Sequence, residues 1–318
     1  MNKLLILLTL PEQVRLQYYH GIRARFPDVE VNLVDHHGKV DPYIADADFL
    51  VTFGPMMAGH VLEKAAKLKW IQALGSGVDG ITDRPALGSG VVVTNLHGIH
   101  GPPVSEAAMM AMLALARSLP RTLRNQQLHR WERTVPPTLL KGKTVVIYGV
   151  GVISTELALK CKAFGMRVVG VSSVARDVPG FDQVHARAKL AQAVGEADFL
   201  VLLTPYSEAT RASVDASVLA AMKPGSYLVN LARGGVVDED AMLEVLRQRR
   251  IAGAALDVFS QEPLPENHPL WSMDNVIITP HLGGFYDGYV DQALPVIEHN
   301  LRKFLAGDIA GMVNLVKH

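Results

Sequence analysis

The sequence predicts an α/β protein with two parallel sheets, each covered by helices. Short apolar runs alternate with longer helix-like segments along most of the 318-residue chain. The runs lack the strict alternation of a half-exposed strand, as expected of parallel strands buried on both faces. They fall into two sets, separated by a long apolar stretch at 104–116. Two sheets in two domains follow from this arrangement, and the chain is long enough for both.

Each apolar run is interpreted as one strand. In the first third of the chain the predicted strands are Leu4–Leu8, Val29–Leu33, Phe49–Thr52, Trp70–Ala73 and Val91–Thr94. Further along they are Thr144–Tyr148, Arg167–Val171, Phe199–Leu203, Tyr227–Asn230, Gly253–Leu256 and Val276–Thr279. Val104–Ala116 is predicted as a buried linking helix, and Tyr289–Leu305 as a last helix that returns to the first domain. We therefore place one domain at 1–98 plus 287–318 and the other at 99–286.

Composition excludes several functional classes. Lys plus Arg and Asp plus Glu both number 31, so the formal net charge is zero. The absence of a basic stripe argues against nucleic acid as a partner, and a neutral chain favours self-association, here expected as a homodimer. Cys161 is the single cysteine, which rules out an intrachain disulfide and fits a reducing compartment. Because no apolar run approaches the roughly 20 residues that cross a bilayer, we expect a cytoplasmic protein without a membrane partner.

A glycine-containing turn after the predicted strand at 144–148 has the pattern of a dinucleotide site. Gly149 permits a tight turn, and Gly151 lets the backbone approach a pyrophosphate at the N-terminus of the next helix, where Val152 and Ile153 lie. Ser154 stands in place of the usual third glycine. A purely structural turn is the alternative, but a strand before and a helix after favour an NAD(P) site.

The end of the next predicted strand indicates which coenzyme is bound. An acidic residue commonly binds the adenosine ribose 2′-hydroxyl there, whereas this chain has Ser172 and Ser173, with Arg176 close behind. Without a carboxylate to repel a 2′-phosphate, the hydroxyls and the guanidinium can bind one. We therefore predict NADP(H) in preference to NAD(H). If Arg176 is only a solvated loop residue, either coenzyme is accepted.

Three polar segments follow successive predicted strands of the second sheet. They carry Arg233, Glu262 and His281. Because ligands bind outside the carboxyl ends of parallel strands, one cleft can hold all three side chains. An arginine binds a carboxylate and polarises the adjacent carbonyl, a histidine transfers a proton near neutral pH, and a carboxylate favours the imidazolium form. These are the groups that the reduction of a 2-keto acid needs.

The motifs around these residues carry a family resemblance. In chain order they are GVGVIS at 149–154, MKPGSYLVNLARGGVVDEDAML at 222–243, AGAALDVFSQEPLP at 252–265 and TPHLGG at 279–284. Upstream of them stand LGSGVD at 74–79 and PVSEAAMMAMLALARSLP at 103–120. Over most of its length the chain resembles the D-isomer-specific 2-hydroxyacid dehydrogenases, in particular their glyoxylate and hydroxypyruvate reductases.

The resemblance implies two Rossmann-like, doubly wound parallel-sheet domains, a flavodoxin-like substrate domain and an NAD(P)-binding domain. It implies an oxidoreductase that transfers a hydride between NAD(P)H and a small 2-keto or D-2-hydroxy acid, such as glyoxylate or hydroxypyruvate. In such an enzyme Arg233 binds the substrate, His281 is the general acid or base, and Glu262 pairs with it. The other implied positions are Gly75, Ser76 and Gly77 for the substrate, and Thr204, Pro205, Leu231, Ala232, Asp257, His281 and Gly283 for the coenzyme.

Several alternatives stay open. The same features resemble the C-terminal-binding-protein corepressors, in which bound NAD(H) supports partner recruitment, so a binding protein without significant turnover is the alternative function. Met56 and Met57 are candidates for either a substrate wall or packing. His36 and His37 lack a third ligand at useful spacing, which favours a solvated loop over a metal site. Trp131 either reaches a neighbouring subunit or, as we favour, packs within its own.

Overall fold

The computed structural model describes residues 1–134 and 137–317 of the chain. The chain divides into two compact units, here called the first unit (1–99 and 286–318) and the second unit (100–285). The boundaries expected from the sequence differ from these by one residue at each junction. Residue 318, the end of the predicted first domain, lies outside the described residues.

Strands and helices alternate along the described residues, as predicted. The strands are β1 (Asn2–Leu7), β2 (Val29–Val34), β3 (Phe49–Thr52), β4 (Trp70–Ala73), β5 (Val92–Thr94), β6 (Thr144–Tyr148), β7 (Arg167–Ser172), β8 (Gln183–Ala186), β9 (Phe199–Leu202), β10 (Tyr227–Asn230), β11 (Gly253–Leu256) and β12 (Val276–Ile278). The helices are α1 (Glu12–Arg25), α2 (Asp41–Ile44), α3 (Gly59–Glu63), α4 (Gly101–Ala116), α5 (Leu119–Gln127), α6 (Val152–Ala163), α7 (Leu190–Val194), α8 (Ala216–Ala221), α9 (Glu239–Arg247) and α10 (Tyr289–Leu305).

The first unit is built on a parallel sheet with the strand order β2-β1-β3-β4-β5. Every residue of β3 and β4 is buried, as expected of central strands in a sheet that is covered on both faces. The last helix, α10, packs against α1. The end of the chain therefore returns to the first unit, which makes that unit discontinuous.

The second unit contains a larger parallel sheet with the strand order β12-β11-β10-β9-β6-β7-β8. Alternate residues of its strands face two separate apolar clusters. One cluster contains Val146 and Leu200, and the other contains Val145 and Val201. The buried helix expected at 104–116 is α4, which packs against α6 within the second cluster. A sheet with an apolar layer on each face is the doubly wound arrangement that the sequence predicted.

The predicted strands are confirmed, with small differences at their ends. β1 ends at Leu7, one residue before the predicted end, and β12 ends at Ile278. The strand β8 was missed because it is a polar edge strand, in which Val184 and His185 are the buried residues. Such a strand has no apolar run to reveal it. Among the described residues no helix combines the length and the apolar character needed to cross a bilayer.

Candidate active site

The carboxyl ends of β10, β11 and β12 place the three predicted polar segments side by side. These strands are parallel neighbours, in which Asn230 pairs with Leu256 and Leu256 pairs with Ile278. Arg233, Glu262 and His281 all follow this edge of the sheet. The strand order, rather than closeness in sequence, therefore assembles the candidate site.

A hydrogen bond joins His281 to Glu262. His281 Nδ1 lies 2.7 Å from Glu262 Oε2, and the side chains are 34% and 28% exposed. Glu262 Oε1 accepts the N–H of Phe259 at 3.0 Å. Burial alone would raise the pKa of Glu262, but the hydrogen bond and charge of His281, the Phe259 amide and the charge of Arg233 outweigh it and lower this pKa. Glu262 is thus a carboxylate at neutral pH. Because Nδ1 of His281 is bonded to Glu262, the other ring nitrogen, Nε2, is the one available for proton transfer to a substrate.

Arg233 lies in a turn that the side chain of Asn230 closes. Asn230 Oδ1 accepts the N–H of Ala232 at 3.0 Å, and Asn230 Nδ2 donates to the carbonyl of Arg233 at 3.2 Å. Nη1 of the half-buried Arg233 side chain donates to the carbonyl of Ala232 at 2.7 Å. Gly234, the next residue, lies against the backbone of Phe259, so this turn adjoins the segment of Glu262. The charge of Arg233 contributes to the lowered pKa of Glu262.

Asp257 holds the loop that carries His281. Its buried carboxylate accepts the Thr279 hydroxyl at 2.5 Å and the N–H of Leu282 at 2.9 Å through Oδ1, and the N–H of Gly283 at 2.8 Å through Oδ2. The N–H of His281 donates to the carbonyl of Asp257 at 2.8 Å. These bonds hold His281 at a φ of 54°, a left-handed conformation that is uncommon outside glycine. The resemblance assigned Asp257 to the coenzyme, and its contacts within the chain add this second role.

The turn between β6 and α6 has the shape that a dinucleotide pyrophosphate requires. Gly149 has a φ of 108°, and a Cβ atom there would lie 2.4 Å from the backbone nitrogen of Thr204, so a larger residue does not fit. Val152 and Ile153 begin α6, and their N–H groups have no partner inside the helix. Ser154 Oγ accepts the N–H of Gly151 at 2.7 Å. The serine in the third-glycine position thus bonds to the residue that precedes the helix.

The other predicted coenzyme residues follow neighbouring strands of the same sheet. Those at the ends of the central strands and of β12 are Thr204, Pro205, Leu231, Ala232 and Gly283. At the end of β7, the buried Ser172 donates its hydroxyl to the carbonyl of Val174 at 2.6 Å, and Ser173 is exposed. Arg176 Nη2 donates to the carbonyl of Val150, between the two glycines, at 3.0 Å. Arg176 is therefore held beside the dinucleotide turn, and these residues fit an NAD(P) molecule.

The predicted substrate loop of the first unit is anchored through its carbonyl groups. The Tyr289 hydroxyl donates to the carbonyl of Leu74, and Asn95 Nδ2 donates to the carbonyl of Ser76 at 2.8 Å. The backbone N–H groups of Gly75–Gly77 donate no hydrogen bond within the described residues. A loop with occupied carbonyls and open N–H groups is suited to bind an anion.

The structure bears on two of the remaining alternatives, those for Met57 and Trp131. Met57 is 3% exposed in the core of the first unit, so it packs and does not form a wall of the site. No group of His, Cys, Asp and Glu side chains in the described part of the chain is arranged to hold a metal, the region of His36 and His37 included. The expectation that Trp131 packs within its own subunit is wrong, since its ring is 92% exposed. It follows α5, a helix without a buried residue, so no core lies there to receive it.

Sequence reasoning missed the hydrogen bonds by which Asn230 and Tyr289 hold these loops. An asparagine at the end of a strand, just before a candidate arginine, is typical of a side chain that closes a turn, so the bonds of Asn230 had a usable signal. The bond of Tyr289 had none, because its hydroxyl donates to a residue 215 positions away in the sequence.

Comparison with known proteins places the chain in one family. A family model for the NAD-binding domain of D-isomer specific 2-hydroxyacid dehydrogenases matches residues 109–283, more than half of the chain. The D-3-phosphoglycerate dehydrogenase of Methanocaldococcus jannaschii is 36% identical over 276 residues, which are 86% of this chain and 52% of that protein. The chain thus spans about half the length of this relative.

Two solved structures are similar over nearly their whole length. A D-isomer specific 2-hydroxyacid dehydrogenase family protein from Aeromonas salmonicida subsp. salmonicida has a TM-score of 0.86 and 33% identity, with 99% of both chains covered. An NADPH-dependent glyoxylate/hydroxypyruvate reductase from Sinorhizobium meliloti, in complex with NADP and sulfate, has a TM-score of 0.84 and 27% identity, with 100% of this chain and 98% of that one covered. The chain belongs to the D-isomer-specific 2-hydroxyacid dehydrogenase family.

Proposed function

We propose that this chain is a reductase of small 2-keto acids, with glyoxylate or hydroxypyruvate as its substrate and NADPH as its preferred coenzyme. The observation that carries the proposal is the hydrogen bond of 2.7 Å between His281 and Glu262, with the charge of Arg233 nearby. This set provides a cation for a carboxylate, a proton donor and a counter-charge. The S. meliloti reductase of similar structure supports the substrate class.

Each residue has a defined task in the direction of reduction. The guanidinium of Arg233 binds the substrate carboxylate and polarises the adjacent carbonyl. Bound nicotinamide supplies the hydride that the carbonyl carbon receives. His281, as an imidazolium, gives a proton to the carbonyl oxygen as negative charge develops there. Glu262 stabilises the imidazolium before the transfer and orients the ring through Nδ1, and the open N–H groups of Gly75–Gly77 are proposed to bind a substrate carboxylate.

The preference for NADPH rests on the end of β7. No carboxylate stands there to repel a 2′-phosphate, while Ser172 and Ser173 offer hydroxyl groups. The contact of Arg176 with Val150 keeps a guanidinium beside the dinucleotide turn. The presence of NADP in the S. meliloti structure supports the same preference.

A substrate-by-coenzyme screen of the purified protein tests the proposal. We expect glyoxylate or hydroxypyruvate to be reduced faster with NADPH than with NADH, and D-3-phosphoglycerate to be a poor substrate for oxidation. Turnover of D-3-phosphoglycerate alone would replace the proposed substrate class. Tight NADPH binding without turnover of any of these acids would favour the corepressor-like alternative. The homodimer, which light scattering can test, and the cytoplasmic location stay predictions.

A further inference from the structure

A second histidine–carboxylate pair lies close to Glu262 in the second unit. His268 Nε2 lies 3.1 Å from Glu239 Oε1, and the two side chains are 15% and 24% exposed. Glu239 is the first residue of α9, and His268 precedes a short 3-10 helix at 269–272. The pair thus joins two separate elements and is more buried than an ordinary surface ion pair.

Glu239 also binds the segment that carries Glu262. Its second oxygen, Oε2, accepts the N–H of Ser260 at 3.2 Å. The preceding amide, that of Phe259, donates to Glu262 Oε1 at 3.0 Å. Two consecutive amides of one segment therefore bond to two different carboxylates. Because Glu262 binds His281 through its other oxygen, the segment 259–262 is fixed between α9 and His281.

The same segment is in backbone contact with the turn that carries Arg233. A Cβ atom at Gly234, the next residue, would lie 1.9 Å from the carbonyl carbon of Phe259. Gly234 and Glu239 belong to one continuous stretch that leads from Arg233 into α9. A bond from Glu239 to Ser260 therefore fastens the Arg233 stretch to the Glu262 segment.

His268 sets the orientation of the Glu239 carboxylate. Its Nδ1 accepts the N–H of Leu270 at 3.3 Å, which places the proton of the neutral ring on Nε2, where it donates to Glu239. Each oxygen of Glu239 therefore accepts one N–H group, from His268 or from Ser260. A glutamine of the same size satisfies only one of these donors, because its NH₂ group faces the other.

We propose that Glu239, oriented by His268, is a positioning residue that sets the spacing between Arg233 and the His281–Glu262 pair. It acts through the amides of Ser260 and Phe259. Its effect on the state of His281 follows from the contacts alone, whereas its effect on turnover rests on the proposed function.

Glu239→Gln tests the proposal, with Asp240→Asn as the matched control. Asp240 is exposed in the same first turn of α9, so each variant removes one negative charge near the helix N-terminus. We expect Glu239→Gln to lower kcat for 2-keto acid reduction roughly ten-fold or more. The Kd of NADPH stays within about two-fold of the wild-type value, since one lost positioning bond does not touch the coenzyme. Asp240→Asn behaves as wild type.

A second readout requires no turnover. The ring ¹⁵N resonances of His281, recorded on the full chain without substrate, report whether Nδ1 remains bonded to Glu262. We expect Glu239→Gln to shift them towards the resonances of Glu262→Gln, and Asp240→Asn to leave them unchanged. If Glu239→Gln does not fold, His268→Ala provides the same test, because it keeps the carboxylate and removes what orients it.

The outcomes separate this proposal from the proposed function. Unchanged His281 resonances in a folded Glu239 or His268 variant overturn the positioning role, whatever the wild-type activity. A loss of turnover that is explained by weaker NADPH binding also overturns it. Shifted resonances in a chain whose wild type reduces no 2-keto acid leave the positioning role in place and refute the proposed function.

Discussion

Two corners of one sheet edge differ in how firmly their polar groups are held. At the ends of β11 and β12, the carboxylate of Asp257 accepts three hydrogen bonds from the loop of His281, and that of Glu262 accepts two more. At the end of β7, Ser172 and Arg176 each donate one side-chain bond to a main-chain carbonyl. Arg176 and its neighbourhood are exposed.

This difference in the number of hydrogen bonds matches the two roles that we propose for the corners. The proposed proton transfer needs a ring held in one orientation, and the corner at the ends of β11 and β12 has several bonds that fix it. The proposed coenzyme selectivity rests on a few side chains at the end of β7, of which Ser173 and Arg176 are exposed. We therefore expect substitutions to have large, specific effects on turnover at the first corner and small, coenzyme-dependent effects at the second.

The largest effect is expected from His281→Ala. Loss of the proton donor should lower kcat by roughly 10²–10⁴, the usual range for a general acid, while NADPH affinity stays near the wild-type value. Steady-state kinetics together with a coenzyme titration measure both. Replacement of the exposed His20 on α1 by alanine is the control. Near-full activity of His281→Ala would show that this residue is not the proton donor. Substitutions at the two corners would then no longer differ in their effect on turnover.

Replacement of Arg233 should have the next largest effect. Arg233→Ala removes the fork that binds carboxylate and carbonyl, so kcat/KM for the 2-keto acid should fall by about 10², as on loss of one preorganised donor. Arg233→Lys keeps the charge without the fork and should recover only part of the activity. If the loss were confined to coenzyme affinity, the substrate role of Arg233 would be wrong.

Glu262→Gln tests, through stability, the electrostatics of the corner at the ends of β11 and β12. Because the pKa of Glu262 in the folded chain is lowered from its ordinary value of 4.5, its ionised form contributes stability above that pH, which is lost as the pH falls through the lowered pKa. The wild type should therefore exceed the variant in free energy of unfolding at neutral pH, and the difference should shrink in acid. Denaturant unfolding at the two pH values measures it. An equal difference at both would contradict the assignment of the lowered pKa.

The smallest effect is expected at the end of β7. Arg176→Ala should weaken NADPH binding roughly ten-fold by loss of one charge-assisted contact and leave NADH binding almost unchanged. Arg211→Ala, at an exposed arginine paired with Glu208, is the control. Equal losses of affinity for NADPH and NADH would show that Arg176 holds the dinucleotide turn in shape and does not contact the 2′-phosphate.

The sequence predicted the central strands well for a physical reason. β3, β4, β6, β10 and β11 begin and end at the predicted residues, because strands buried on both faces are continuous apolar runs. The edge strand β8 has no such run and was missed. Buried strands could thus be predicted from local apolar runs, whereas the pairing of a polar strand at the sheet edge could not.

Part of the candidate site could also be predicted from the sequence. Motif order after successive strands placed Arg233, Glu262 and His281 at one edge, since parallel topology fixes where strands end. The bond from Ser260 to Glu239 was not predictable, because the two residues stand 21 positions apart and meet only through the path of the loops. Residue types indicate what a site can do, but the groups that hold it in place depend on how separate segments approach one another.

The central claim is that His281, supported by the Glu262 carboxylate, delivers the proton in 2-keto acid reduction. The most direct test is kcat/KM for glyoxylate and hydroxypyruvate with NADPH at neutral pH, recorded together with the Kd of NADPH for the wild type and for Glu262→Gln. We expect kcat/KM to fall roughly ten-fold or more in the variant while the Kd stays near the wild-type value, because the ring of His281 loses the charged partner bonded to Nδ1. Equal kcat/KM in the two proteins would contradict the claim.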